Sequence, residues 1–146
     1  MTVVVGVDGS SGSSTAIRLA RQEAAYRGVG VTAVMAYISD STLGTPAARP
    51  IATPRTLDEQ RKDAEFSLRQ AVVDALGSDD GVALRVESGV PGRVLVQTAR
   101  ILDADLVVLA TREQHSPSQL LGAVSQYVLR NSPCPVLVVP EASKKP

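Results

Sequence analysis

The first side chain able to do chemistry is Asp8, which ends the run Val3-Val4-Val5-Gly6-Val7 and opens the polar stretch Gly9-Ser10-Ser11-Gly12. A carboxylate at the end of a buried strand can accept hydrogen bonds from sugar hydroxyls. A helix that follows it offers free backbone N–H groups to a phosphate. The same residues read equally well as a plain turn, with Ser13 or Ser14 capping the helix. A second candidate is Gly122-Ala123-Val124-Ser125. A helix starting there turns its first amides and the Ser125 hydroxyl toward a phosphate. Ser116-Pro117-Ser118-Gln119 competes for that start, with cap, Pro and capping-box positions all filled. In that reading Gly122 lies inside the helix and permits close packing, and the capping signals favour it.

Other chemistries lack their residues. No Gly-x-Ser-x-Gly elbow, P-loop or metal-ligand pair is present, so the sequence assigns no catalytic residue and no metal ligand. His115 is the only histidine and falls in a polar loop. The single cysteine, Cys134, excludes an internal disulfide and a Cys-rich metal site, and reads as a small buried hydrophobe. A phosphate-receiver domain needs an acidic pair after its first strand, a carboxylate where Ser88 stands and a Lys after Val139; none is found. The aromatic residues are only Tyr26, Tyr37, Phe66 and Tyr127, too few for a flavin pocket or a base-stacking surface. Fifteen basic side chains against 15 acidic ones give zero net charge, which argues against nucleic-acid binding.

The elements that must position Asp8 and Ser125 follow from periodicity. At 146 residues, 44% of them hydrophobic, the chain has the size of one soluble domain. Strands are predicted at Thr2 to Val7, Val29 to Tyr37, Val82 to Ser88, Asp105 to Ala110 and Val136 to Val139. The first helix runs to about Arg27, with Ile17, Ala20 and Ala24 on its inner stripe. Thr56-Leu57-Asp58-Glu59 is a capping box that opens a helix to about Leu76, whose stripe is Leu57, Ala64, Leu68, Ala71 and Ala75. Pro91 starts a third helix with Val94, Leu95, Thr98, Ile101 and Leu102 inside. A loop from Thr111 to Ser118 precedes a fourth, which ends near Asn131. Residues 38–55, with Pro46, Pro50 and Pro54, read as a long mobile loop. Residues 1–140 are expected to form one domain and 141–146 a flexible tail. No stretch approaches the roughly 20 apolar residues of a membrane span, and no basic leader precedes Val3, so a cytoplasmic protein is expected.

Alternation of strands and helices predicts an α/β three-layer sandwich around a five-stranded parallel sheet, of flavodoxin-like or Rossmann-like type. In the common strand order 3-2-1-4-5, the ligand crevice opens between strands one and four. That order makes the segments after Val7 and after Leu109 face each other.

Taken together, these segments resemble the universal stress protein (UspA-like) family. Val4-Val5-Gly6-Val7-Asp8-Gly9-Ser10 is similar to its first strand and turn. Val86-Glu87-Ser88-Gly89-Val90-Pro91, Ala104-Asp105-Leu106-Val107-Val108, Gly122-Ala123-Val124-Ser125 and Pro133-Cys134-Pro135-Val136-Leu137-Val138-Val139 follow in the family's order. The resemblance implies the α/β fold just derived, of the adenine-nucleotide alpha-hydrolase-like kind. It also implies a cytoplasmic homodimer paired through the fifth strands, Val136, Leu137, Val138 and Val139.

Family members that bind ATP carry Gly-x2-Gly-x9-Gly-(Ser/Thr) after strand four, and this chain departs from that pattern. With Ala110 at the first Gly, the second falls on Glu113 and the spacing to Gly122 is eight residues, one short. With the spacing kept, the two glycines become Leu109 and Arg112. The Ser/Thr position is Ala123. Glycine permits close backbone approach to phosphate, and a carboxylate at residue 113 repels it. Arg112 offsets part of that loss. The resemblance therefore implies a stress-response regulatory or interaction module with weak or no ATP binding, whose protein partner is unknown. Its alternative is a sensor of ATP, AMP or cyclic AMP. That nucleotide would be held by Val7, Asp8, Gly9, Ser10 and Ala36, by Ala110, Thr111 and Arg112, and by Gly122, Ala123, Val124 and Ser125. A slow nucleotide hydrolase has no positioned base or metal to support it.

Overall fold

A computed structural model describes residues 1–39, 56–111 and 122–140. Most of the predicted loop 38–55, the residues Arg112 and His115, the competing helix start at Ser116 and the tail 141–146 lie outside the described residues.

The elements run β1 (Thr2–Gly6), α1 (Ser11–Arg27), β2 (Gly30–Tyr37), α2 (Leu57–Leu76), β3 (Val82–Ser88), α3 (Pro91–Ile101), β4 (Leu106–Ala110), α4 (Ala123–Asn131) and β5 (Val136–Val139). All strand pairs are parallel and the sheet order is β3-β2-β1-β4-β5, as the alternation predicts. β1 lies at the centre, so its side chains are buried on both faces. Val3, Val4 and Val5 are each fully buried, which is why the strand is an unbroken valine run.

Alternation along β1 divides the core in two. Val3 and Val5 pack with Ile17 and Ala20 of α1 and Leu68 and Val72 of α2. Val4 packs with Val34 and Val107, Leu95 of α3 and Val128 of α4. Helices α1 and α2 thus cover one face of the sheet and α3 and α4 the other.

Several predicted boundaries move. β1 ends at Gly6, but Val7 stays attached through its N–H to the Val34 carbonyl at 2.9 Å. Ser10, not Ser13 or Ser14, holds the N-cap position of α1, and its side chain makes no capping hydrogen bond. The Thr56 capping box forms: Thr56 Oγ1 accepts the Glu59 N–H at 3.1 Å, and Glu59 Oε2 accepts the Thr56 N–H at 3.3 Å. Leu57 is 61% exposed and Ile101 67% exposed, against expectation. Both sit in terminal turns, where the apolar stripe runs past the residues that cover it. The buried row of α2 is instead Gln60, Ala64, Leu68 and Val72. Among the described residues no helix is long and apolar enough to cross a membrane.

The two faces of α2 make a contrast that can be measured. Leu68 is fully buried and Phe66, two residues earlier, is 69% exposed. Leu68→Ala is expected to cost about 2–5 kcal/mol in urea unfolding, and Phe66→Ala no more than about 0.5 kcal/mol. Equal losses would contradict the assigned core face.

Candidate functional site

A doubly wound sheet opens a crevice where successive connections leave for opposite faces. Here β1 feeds α1 on one face, β4 feeds α4 on the other, and the two strands are direct neighbours. A cavity of about 390 Å³ lies at their C-terminal ends. Its polar side runs from Asp8 and Ser13 to Gly122, Ala123, Val124 and Ser125. Its apolar wall is formed by Val34 and Ala36 of β2, Val94 and Leu95 of α3, and Leu109 and Ala110 of β4.

The Asp8 turn is held by local hydrogen bonds. Asp8 Oδ1 accepts from the Ser10 N–H at 2.9 Å and from the Ser13 hydroxyl at 2.8 Å. Ser13 Oγ in turn accepts the Asp8 N–H at 3.1 Å. Gly9 closes the turn with φ of +82°, a left-handed conformation that side chains resist. Gly6 serves differently. A Cβ there would lie 2.9 Å from Leu95 Cδ1, so the bare backbone leaves room for Leu95, which lines the cavity beside it.

The second polar segment settles the choice between packing and capping. Gly122 is extended (φ −72°, ψ 172°) and is the N-cap of α4, so it does not lie inside a helix. The Gln126 N–H bonds the Gly122 carbonyl at 3.0 Å, the first turn of that helix. The N–H groups of Ala123, Val124 and Ser125 precede that bond and have no partner within the helix. Ser125 is 97% buried (3% exposed) and lines the cavity, and its hydroxyl has no hydrogen-bond partner among the described residues. Ala123 brings no hydroxyl to the same turn.

Of the residues singled out from sequence, Val7, Asp8, Ala36, Ala110, Gly122, Ala123, Val124 and Ser125 line one cavity. Gly9 and Ser10 form the turn beside it without lining it. Thr111 also stands off the wall, and its N–H bonds the Val139 carbonyl at 2.9 Å. Sequence reasoning missed Ser13, Val34, Pro91, Val94, Leu95 and Leu109. A signal for the α3 residues existed, since every strand-to-helix connection in a parallel sheet emerges at the same end. Among the described residues no group of three or more His, Cys, Asp or Glu is placed to hold a metal.

The universal stress protein family model matches residues 1–140. The chain belongs to that family. A universal stress protein from Thermus aquaticus is 33% identical over 141 residues, which are 94% of this chain and 97% of that one. One from Synechocystis is 41% identical over 86 residues, 57% of this chain and 54% of its own length. One from Mycolicibacterium smegmatis is 31% identical over 143 residues, 94% of this chain and 47% of its own. The chain therefore spans about half the length of the Synechocystis and Mycolicibacterium relatives. Among solved structures, a universal stress protein in complex with cAMP superposes with a TM-score of 0.67 at 27% identity, covering 97% of this chain and 98% of that one. The family resemblance and fold read from the sequence both hold.

The positive φ at Gly9 gives the site its own stability test. Gly9→Ala should lower stability by about 1–2 kcal/mol, read from the denaturant midpoint. An unchanged midpoint would contradict the left-handed turn.

Proposed function

We propose that this universal stress protein family member is a cytoplasmic regulatory module that holds an adenine nucleotide bearing one phosphate, AMP or cyclic AMP, and binds ATP weakly or not at all. The observation that carries this reading is the start of α4. Its first amides and the Ser125 hydroxyl, without partners among the described residues, belong to the cavity lining that also holds the Asp8 carboxylate. A helix N-terminus supplies roughly half a positive charge, enough to favour one phosphate group. Asp8 is proposed to accept hydrogen bonds from the sugar. Val34, Ala36, Val94, Leu95 and Leu109 offer the base an apolar slot, and about 390 Å³ lies within the range of small-molecule pockets.

The case against tight ATP binding rests on composition. The described lining holds the Asp8 carboxylate and no Lys or Arg. Ala123 lacks the hydroxyl that ATP-binding relatives present, and Leu109 with Arg112, or Ala110 with Glu113, replace their two glycines. Thr111 and Arg112 follow β4 directly, and Arg112 is proposed to pair with the single phosphate. The complex of a relative 27% identical with cAMP supports a ligand of this size. Asp8, Ser13 and Ser125 are the polar side chains of the described lining. We propose binding rather than turnover at this site.

Calorimetric titration tests this reading. AMP or cyclic AMP should bind at least tenfold more tightly than ATP, and Asp8→Ala should weaken that binding about tenfold or more. ATP as the tightest ligand, or no binding by any of the three, would overturn it.

The sheet edges support a homodimer proposal. β3 carries Arg85 and Glu87, ion-paired at 3.3 Å, and such charges discourage strand addition. β5 is Val-Leu-Val-Val with no charge. We propose that two copies pair through Val136, Leu137, Val138 and Val139. Leu137→Lys or Val138→Pro should then give monomers by light scattering; persistent dimers would place the interface elsewhere.

A further inference from the structure

We infer that Ser13 is the positioning residue that aims the Asp8 carboxylate into the cleft, and so sets recognition of the sugar hydroxyls. This rests on the nucleotide reading above and assigns a role within it. Sequence position suggests a helix cap for Ser13, but Ser10 holds the cap position and Ser13 is the third residue of α1. Its hydroxyl is used elsewhere. The Asp8 backbone N–H can only donate, so Ser13 Oγ accepts there at 3.1 Å. The hydroxyl proton is left for Asp8 Oδ1 at 2.8 Å. One buried hydroxyl thus grips both the main chain and the side chain of Asp8.

That double grip fixes two torsions at once. Oδ1 also accepts the Ser10 N–H at 2.9 Å, so the same oxygen is tied from both sides of the turn. Ser13 is 3% exposed and lines the cavity beside Asp8, so its hydroxyl meets these partners from the buried side of the turn. Without the Ser13 hydroxyl, Oδ1 keeps the Ser10 amide but loses the bond that ties it to the buried side of the turn. A carboxylate held less firmly still carries its charge but presents a less fixed acceptor. Ser13 therefore governs discrimination between ribose and deoxyribose forms of a ligand more than its overall affinity.

Titration of the full chain with AMP, 2′-deoxy-AMP and 3′-deoxy-AMP tests this in wild type, Ser13→Ala and Ser13→Cys. Wild type should prefer AMP to at least one deoxy analogue by about tenfold. Ser13→Ala should lose that preference, lowering the affinity for AMP by more than the affinity for the deoxy analogues. Ser13→Cys keeps the volume and gives up the strong donor; it carries the same expectation should the alanine variant not fold. On an Asp8→Asn background, Ser13→Ala should change the preference no further. Equal loss for AMP and its analogues would mark Ser13 as merely structural and overturn the inference, as would a preference that survives in the variants. A wild type that binds the three ligands alike overturns it too, while one that binds none of them overturns the nucleotide reading itself.

Discussion

The parallel pairing of β1 with β4 is the contact on which the cleft depends. Val3, Val4 and Val5 stand beside Leu106, Val107 and Val108, and the helices that follow these two strands cover opposite faces of the sheet. Asp8 leaves one of these strands and the α4 segment follows the other. The two polar segments therefore meet without any side chain having to reach far. Burial of the valines on both faces holds the pair in register, since a slip by one residue would exchange the side chains of the two core faces.

A rigid sheet end then lets small residues do the shaping. Gly6 leaves room for Leu95 in the cavity lining, Gly9 bends the chain after Asp8, and Gly122 caps α4 with no side chain of its own. The polar groups are few and local. Ser13 and Ser10 fix Asp8, while Ser125 faces the cavity from the opposite helix. Such an arrangement suits the proposed ligand, a nucleotide that brings its own shape and one phosphate.

Most of the fold was legible because its signals are repetitive. Valine-rich runs and three-and-four spacing identify buried strands and amphipathic helices, and alternation of the two forces a parallel sheet. The polar half of the site was legible for the same reason: Asp8 and Ser125 stand where strand-order rules put them. The start of α4 was not, because Ser116-Pro117-Ser118-Gln119 offers stronger local capping signals than Gly122. Ser13 was hidden by its type. A serine early in a helix reads as a cap, and only the 2.8 Å bond to Asp8 reveals its use. The wall residues Val34, Val94 and Leu95 look like any other core positions in sequence, since a cavity is a property of packing and not of residue type.

A crystal structure of the chain grown with AMP tests the central claim most directly. The account predicts the phosphate at the amides of Ala123, Val124 and Ser125, with sugar hydroxyls within hydrogen-bond distance of the Asp8 carboxylate and the base against Leu95. A nucleotide seated away from the β1–β4 cleft, or seated in it with its phosphate turned away from α4, would contradict the account.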